Sequence, residues 1–276
     1  MEFSLARQRF YQEIQQADAT INLAAAALYI AQEAYPDLDP EVYLNALDVM
    51  ASEASERMPA EPYPLKIIQA LNCYLFEDLK FSGNSLDYYN PRNSFLNDVI
   101  DNRMGIPITL SLVYLEIAKR LDFPMAGVGM PGHFLIRPLV EDMTVLVDPF
   151  HQGEVMFEED CQTRLQQIFG GAVQLQPQFL EPIQSKQFLV RMLTNLKMLY
   201  IKREEIPQAL AAIERILLLF PDNARELRDR GLLYFHTGRL IEARQDLESY
   251  LNVQPAGEDA PQILRILQQI EDWRGN

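Results

Sequence analysis

Apolar residues recur at three- and four-residue spacing over 3–16, 21–34, 40–57 and 64–80, and breaks containing Pro or Asp separate these runs. The pattern predicts four helices. The stretch 87–103, DYYNPRNSFLNDVIDNR, starts as a polar loop and turns helical near Ser94. After Met104-Gly105-Ile106-Pro107 an apolar helix runs to Leu121, with Pro107 in the first turn, where its missing N–H costs nothing. Past Pro124 the texture changes. Residues 126–128, 133–137 and 144–148 read as strands, and Glu141-Asp142 marks a hairpin between the last two.

The C-terminal third repeats itself. Tyr200 returns as Tyr234, Ala209 as Ala243, Ile213 as Leu247, Leu217 as Leu251 and Pro221 as Pro255, each 34 residues on. That is the period of the tetratricopeptide helix–turn–helix. Alanine lets two helices approach, the larger apolar residues fill the gap, and proline closes the second helix. Two repeats are expected at about 188–221 and 222–255, with Asp222 as a helix start, Gly231 and Gly238 at tight positions, and a capping helix over 261–273.

Charge sharpens this division. The 276 residues carry 24 basic and 39 acidic side chains, a formal net charge of −15. Residues 1–104 hold 7 basic against 16 acidic groups, 105–180 hold 4 against 9, and 181–276 hold 13 against 14. The change near residue 180 predicts two regions, 1–180 and 181–276. So acidic a chain repels phosphate backbones and anionic bilayers, which argues against nucleic acid as a partner. The longest apolar run, 23–31, is too short to span a membrane, and the N-terminus lacks a signal-peptide pattern. Two cysteines make no disulfide framework, so a reduced, cytoplasmic setting is expected. Cys73 lies in an apolar run and reads as a buried small hydrophobe. Cys161 follows Glu158-Glu159-Asp160, whose charge disfavours a thiolate. Those acids read as solvated first-turn charges rather than a calcium site. His151 and His236 are distant in sequence and not spaced as ligands, the three histidines are scattered with no Cys cluster, and Gly170-Gly171 is a turn rather than a phosphate loop. Neither a metal nor a cofactor is predicted.

The hairpin carries the candidate chemistry. With its turn centred near residues 140 and 141, His133 falls opposite Asp148, on a face shared with Leu135, Arg137, Thr144 and Leu146. Phe134, Ile136, Val145 and Val147 form the opposite, core-facing side. An imidazole beside a carboxylate is the orienting half of a catalytic triad, or a hydrogen bond that pins the hairpin.

The blocks RMGIPITLSLVYLEIAKRLDFP, GMPGHFLIRP and VLVDPF, preceded by SGNSLDYYNPRNSFLNDV and followed by the repeats, resemble the SirB1 family, the transglutaminase-like core-2 group. The resemblance covers about residues 60–250. It implies an α+β fold: a mostly helical papain/transglutaminase-like core with a small antiparallel sheet, then a short tetratricopeptide pair. In active transglutaminase-like proteins a Cys at a helix N-terminus is the nucleophile, a later His its base and an Asp the orienter. Residue by residue, His133 matches the base and Asp148 the orienter, while the Cys position falls at about Pro107. The SirB1-like proteins are similar in having Gly-Ile-Pro there.

The resemblance therefore implies a non-catalytic interaction or regulatory module that binds protein through its repeats and its cleft. The alternative is a hydrolase or acyltransferase on amide or ester bonds, with Thr109, Ser111 or water attacking. Against it, both hydroxyls are expected to bond to nearby backbone carbonyls. Asn93, Arg92, Asn97, Arg103 and Pro107 are the expected cleft-lining residues, with Arg92 and Arg103 pairing with Asp98, Asp101 or Asp148, and with Asn93 or Ser94 capping a helix.

Overall fold

Helix signals in the chain become helices in the computed structural model, which describes residues 4–61, 63–141 and 143–275, the side chains of 273–275 apart. Helix α1 (Leu5–Ile14) starts where Ser4 accepts from the Arg7 N–H. Helix α2 (Leu23–Ala31) starts at Asn22, which accepts from the Ala25 N–H, and α3 (Pro40–Ser55) at Asp39. Side-chain oxygens at these three positions satisfy N–H groups that the first helical turn leaves open. Helix α4 (Pro64–Asn72) runs on through a wider π-helical turn, Cys73–Asp78. Phe3 and Asp142, both used in the sequence expectations, lie outside the described residues.

A parallel pair, β1 (Ser82–Gly83) and β2 (Met104–Gly105), brackets a 3-10 turn at Pro91–Ser94 and helix α5 (Leu96–Asn102). Then comes α6 (Pro107–Arg120), buried from Pro107 to Ala118. It is the central helix, and the cluster around it takes apolar side chains from α2 to α5 and from one face of a four-stranded sheet. That sheet runs β3 (Met125–Val128), β4 (Leu135–Pro138), β5 (Leu146–Asp148), β6 (Glu154–Met156), every neighbour antiparallel. The chain is mainly helical with this small sheet, in the α+β class.

Three sequence expectations change here. Ile136 pairs with Val147, so the β4–β5 register differs from the expected one by two residues; Asp148 lies across from Leu135, and His133 precedes β4. An even shift keeps every side chain on its expected face, because strand side chains alternate with period two. Phe134, Ile136, Val145 and Val147 do pack on the α6 side. The face of His133 and Asp148, not expected to face a core, carries one as well. Leu135 and Leu146 join Val128, Met156, Cys161, Leu165 and Leu180 in a second small core under α7 (Glu158–Phe169). Cys73, expected inside, is exposed, its Sγ 3.6 Å from Glu77 Oε2. Strand β6 is absent from the expectation; three residues are too few to show a period.

The chain divides into two compact units, Met1–Met192 and Leu193–Asn276. The second holds the helices of the 34-residue repeat: the end of α8 (Ser185–Lys202) with α9 (Ile206–Leu219), then α10 (Ala224–His236) with α11 (Leu240–Val253), and finally α12 (Ala260–Gly275). Ala209, Ile213, Ala243 and Leu247 are fully buried, and a Cβ on Gly231 would meet the Leu247 side chain at 2.8 Å. That close approach is why glycine stands there. The cap of α10 is Asn223, one residue beyond the expected Asp222.

Candidate active site

Asp148 closes β5, and Pro149 immediately starts a 3-10 turn, Pro149–His151. The turn fixes the carboxylate. Its Oδ1 accepts from the Phe150 and His151 N–H groups at 3.1 and 3.3 Å. Its Oδ2 accepts from two imidazoles, His133 Nε2 and His151 Nδ1, each at 2.7 Å. An ionised carboxylate only accepts, so each of these ring nitrogens carries a proton. His133 Nδ1 is left as the basic nitrogen, and it has no partner among the described residues. His151 Nε2 in turn faces Arg164 Nη1 at 3.0 Å, and Arg164 Nη2 donates to Glu154 at 3.1 Å. Burial would raise the Asp148 carboxyl, but the hydrogen bonds and charges of His133 and His151 outweigh it and hold the group below its ordinary value.

His151 is the residue that sequence reasoning missed. Its signal is local: Asp-Pro-x-His sets carboxylate and imidazole three residues apart, and a Pro-initiated 3-10 turn brings such positions onto one side. His133, Asp148 and His151 offer two nitrogens and an oxygen within 4.8 Å, a donor set that divalent zinc or iron accepts. Their mutual hydrogen bonds fill the space between them, and the Arg164 guanidinium lies 3.9 Å from Asp148 Oδ2. Both features favour the hydrogen-bonded arrangement over a bound cation.

The nucleophile side is different. Pro107 is buried at the first position of α6. The Thr109 hydroxyl is engaged in the helix start. It accepts from the Ile106 N–H at 3.1 Å and donates to the Asn93 carbonyl at 2.7 Å. Ser111 is fully buried and its Oγ has no hydrogen-bond partner among the described residues, contrary to the expected backbone bond. Ser111 shares a helix face with Pro107 and Tyr114, and Tyr114 Oη bonds to Asn72, which donates to the Gly153 carbonyl just past the His151 turn. The thiols lie elsewhere. Cys161 is buried in the second core, where burial and then the charges of Asp160 and Asp148 push its thiol up to about 11.

The remaining expected residues separate into two groups. Asn93 is buried and organises the loop before α5: it accepts from Asn84 Nδ2 and donates to the Asp87 carbonyl at 2.7 Å. Asn97 is buried on α5, and its Oδ1 has no partner among the described residues. Arg92 lies at the surface beside the Tyr35–Asp98 hydrogen bond. Arg103 caps α5 in a left-handed conformation, its guanidinium 4.7 Å from the Phe81 ring and 3.4 Å from Met50 Sδ. The α5 N-cap is Phe95, and the loop asparagine that caps is Asn90, on the preceding 3-10 turn. From the same loop, Tyr88 reaches the Phe150 ring at 6.0 Å, and Phe150 stands edge-on to His133 at 6.3 Å.

Residues 41–194 match the family described as the Transglutaminase-like superfamily, and residues 196–271 match a tetratricopeptide repeat. A UPF0162 protein of Xylella fastidiosa is 38% identical over 253 residues, 89% of each chain. A UPF0162 protein of Pseudomonas aeruginosa is 30% identical over 248 residues, 90% of this chain and 89% of its own. The human F-box only protein 21 is 33% identical over 205 residues, which is 70% of this chain and 31% of the human one. No solved structure matches the chain.

Proposed function

The chain belongs to the Transglutaminase-like superfamily, and on that premise we propose that it is a non-catalytic member, a cytoplasmic interaction or regulatory module of the SirB1 type. The observation that carries this reading is the head of α6. A buried proline occupies the expected nucleophile position, and the one hydroxyl of that first turn, on Thr109, is engaged in the helix cap. His133 and Asp148 keep a base-and-orienter geometry with no sulfur to activate, which is the arrangement of a pseudoenzyme. The tetratricopeptide helices belong to a class that takes protein segments as ligands, and they supply the partner-binding half of the module. No helix among the described residues is long and apolar enough to cross a membrane.

The full-length chain is to be incubated with a fluorophosphonate probe, and separately with a glutamine-containing peptide and a primary amine. No covalent adduct and no amine transfer are expected. Turnover that disappears in His133→Ala would overturn the proposal. It would favour the hydrolase or acyltransferase reading, for which the unpartnered hydroxyl of Ser111 is the specific support.

A further inference from the structure

Strand β3 forms one edge of the four-stranded sheet, and that edge is only partly covered. The Gly127 carbonyl accepts from the Ile183 N–H at 2.9 Å, beside a bridge between Val128 and Pro182. Main-chain groups along a strand face its two sides by turns, so Met125, two residues before Gly127, presents its N–H and C=O to the same open edge. The chain does not follow the strand that far, because α8 begins at Ser185 and leads it away. A groove of about 690 Å³ remains between the edge and the head of α8, within the range of about 300–1,000 Å³ for small-molecule sites. Leu115, Phe123, Ile183 and Phe188 are its apolar walls.

A carboxylate stands among these walls. Glu116, on α6, is only 4% exposed and lines the groove. Its Oε2 accepts from Arg120 Nη1 at 2.5 Å, while its Oε1 has no hydrogen-bond partner among the described residues. Arg120 also donates from Nε to Asp48 at 2.6 Å. One guanidinium thus serves two carboxylates, which leaves one negative charge uncompensated, and a desolvated charge without a counter-charge is costly. The other ionisable groups along the groove do not supply the missing cation. Asp18 accepts from the Ser185 and Lys186 N–H groups at 2.8 and 2.9 Å and so caps α8. Lys119 and Asp122 lie exposed at the rim, where their charges cancel, and neither forms an ion pair among the described residues.

We propose that this groove binds a small organic cation, a primary ammonium on a compact apolar body, with the ammonium donating to Glu116 Oε1. The bond is charge-assisted and supplies the counter-charge that the Arg120 cluster lacks. An ammonium has three N–H donors, and the Met125 carbonyl at the open strand edge is a second acceptor for them. The apolar body takes the place of water against the four walls. An anionic ligand of the same shape is repelled by the uncompensated carboxylate, in a chain whose net charge is −15. The groove shares no lining residue with the His133–Asp148 pair, so this site stands or falls independently of the reading of that one.

The test titrates the full-length chain with tryptamine as the cation, N-acetyltryptamine as its neutral analogue and indole-3-propionate as the anion, and follows main-chain amide resonances by NMR. Tryptamine is expected to shift the Met125, Ala126 and Ile183 amides saturably. The neutral analogue should bind about tenfold more weakly, and the anion should not bind. Glu116→Gln keeps an acceptor for Arg120 and is expected to weaken tryptamine by about tenfold. Lys119→Met, at the exposed rim, removes a like charge and is expected to bind tryptamine at least as tightly as wild type. His133→Ala should bind it unchanged. If Glu116→Gln does not fold, the neutral analogue and Lys119→Met decide the matter. Equal affinity for tryptamine and its neutral analogue, wild-type affinity in a folded Glu116→Gln, weaker binding in Lys119→Met or His133→Ala, or no saturable shift at millimolar tryptamine would each overturn the proposal.

Discussion

His133 Nε2 meets Asp148 Oδ2 at 2.7 Å although the two residues do not face each other across the sheet. Asp148 sits opposite Leu135, two residues further along, and the imidazole reaches it from the loop before β4. The contact exists because the two-residue difference in register leaves both side chains on one face, and because the Pro149 turn aims the carboxylate back over the strand end. His151 reaches the same oxygen from the turn itself. One buried carboxylate thereby ties the loop, β5 and the 3-10 turn together.

Asp148→Asn is expected to destabilise the chain by about 2 kcal/mol near neutral pH, because an amide cannot accept from both imidazoles and keep its main-chain bonds. The pH dependence has a definite sign. The carboxyl is held below its ordinary value in the folded chain, so its contribution is present above the unfolded value of about 4 and fades as pH falls through the folded one. Urea midpoints of wild type should drop as pH falls below about 4, and those of Asp148→Asn should drop less. Parallel curves for the two proteins would mean that the network contributes no acid sensitivity.

Thr109→Val removes the hydroxyl that serves the Ile106 N–H and the Asn93 carbonyl while keeping the shape of the side chain. The expected cost is about 1–3 kcal/mol, the range for stranding buried polar groups. It should appear in the urea midpoint with no change in the fluorophosphonate result. Labelling of the wild-type chain that disappeared in this variant would instead mark Thr109 as a reacting group.

The two thiols should differ in chemistry. Cys73 is exposed, whereas Cys161 is fully buried with its thiol pushed up to about 11. Titrating the folded protein with a disulfide reagent at about pH 8 should modify Cys73 alone, and Cys161 only after denaturation. Two equally fast equivalents would contradict the buried placement.

These placements show what the residues reveal and what they hide. The helix starts at Asp39-Pro40 and Gly-Ile-Pro107, and the 34-residue spacing of Tyr200 with Tyr234, are legible because capping and close packing select residue types at fixed positions. The exposure of Cys73 is not, since an apolar run looks alike on either side of a helix that widens into a π turn. Nor is the second core beneath the sheet, because the residues that cover Leu135 and Leu146, among them Leu165 and Leu180, come from well downstream. His133 and Asp148 are found from strand alternation. His151 needs the 3-10 turn, which only the folded chain supplies.

Lys197 extends this contrast into the repeats. It stands where the second repeat has Gly231, 34 residues on, and it is fully buried. A lysine there is tolerated because Nζ donates to Glu226 at 2.6 Å and to Asp229 at 2.9 Å, both on α10. Glu226 is itself nearly inaccessible, with one oxygen lacking a partner among the described residues. Lys197→Met therefore removes the cation and strands the buried Glu226, while Asp229 keeps its pair with Arg228. The expected loss is about 3–5 kcal/mol, since breaking a buried ion pair costs far more than the pair contributes. Adding Glu226→Gln should recover part of that loss, because a neutral amide is easier to bury than a lone carboxylate. Thermal unfolding of the two variants checks both steps. A double variant less stable than Lys197→Met alone would show that Glu226 is held by something other than Lys197.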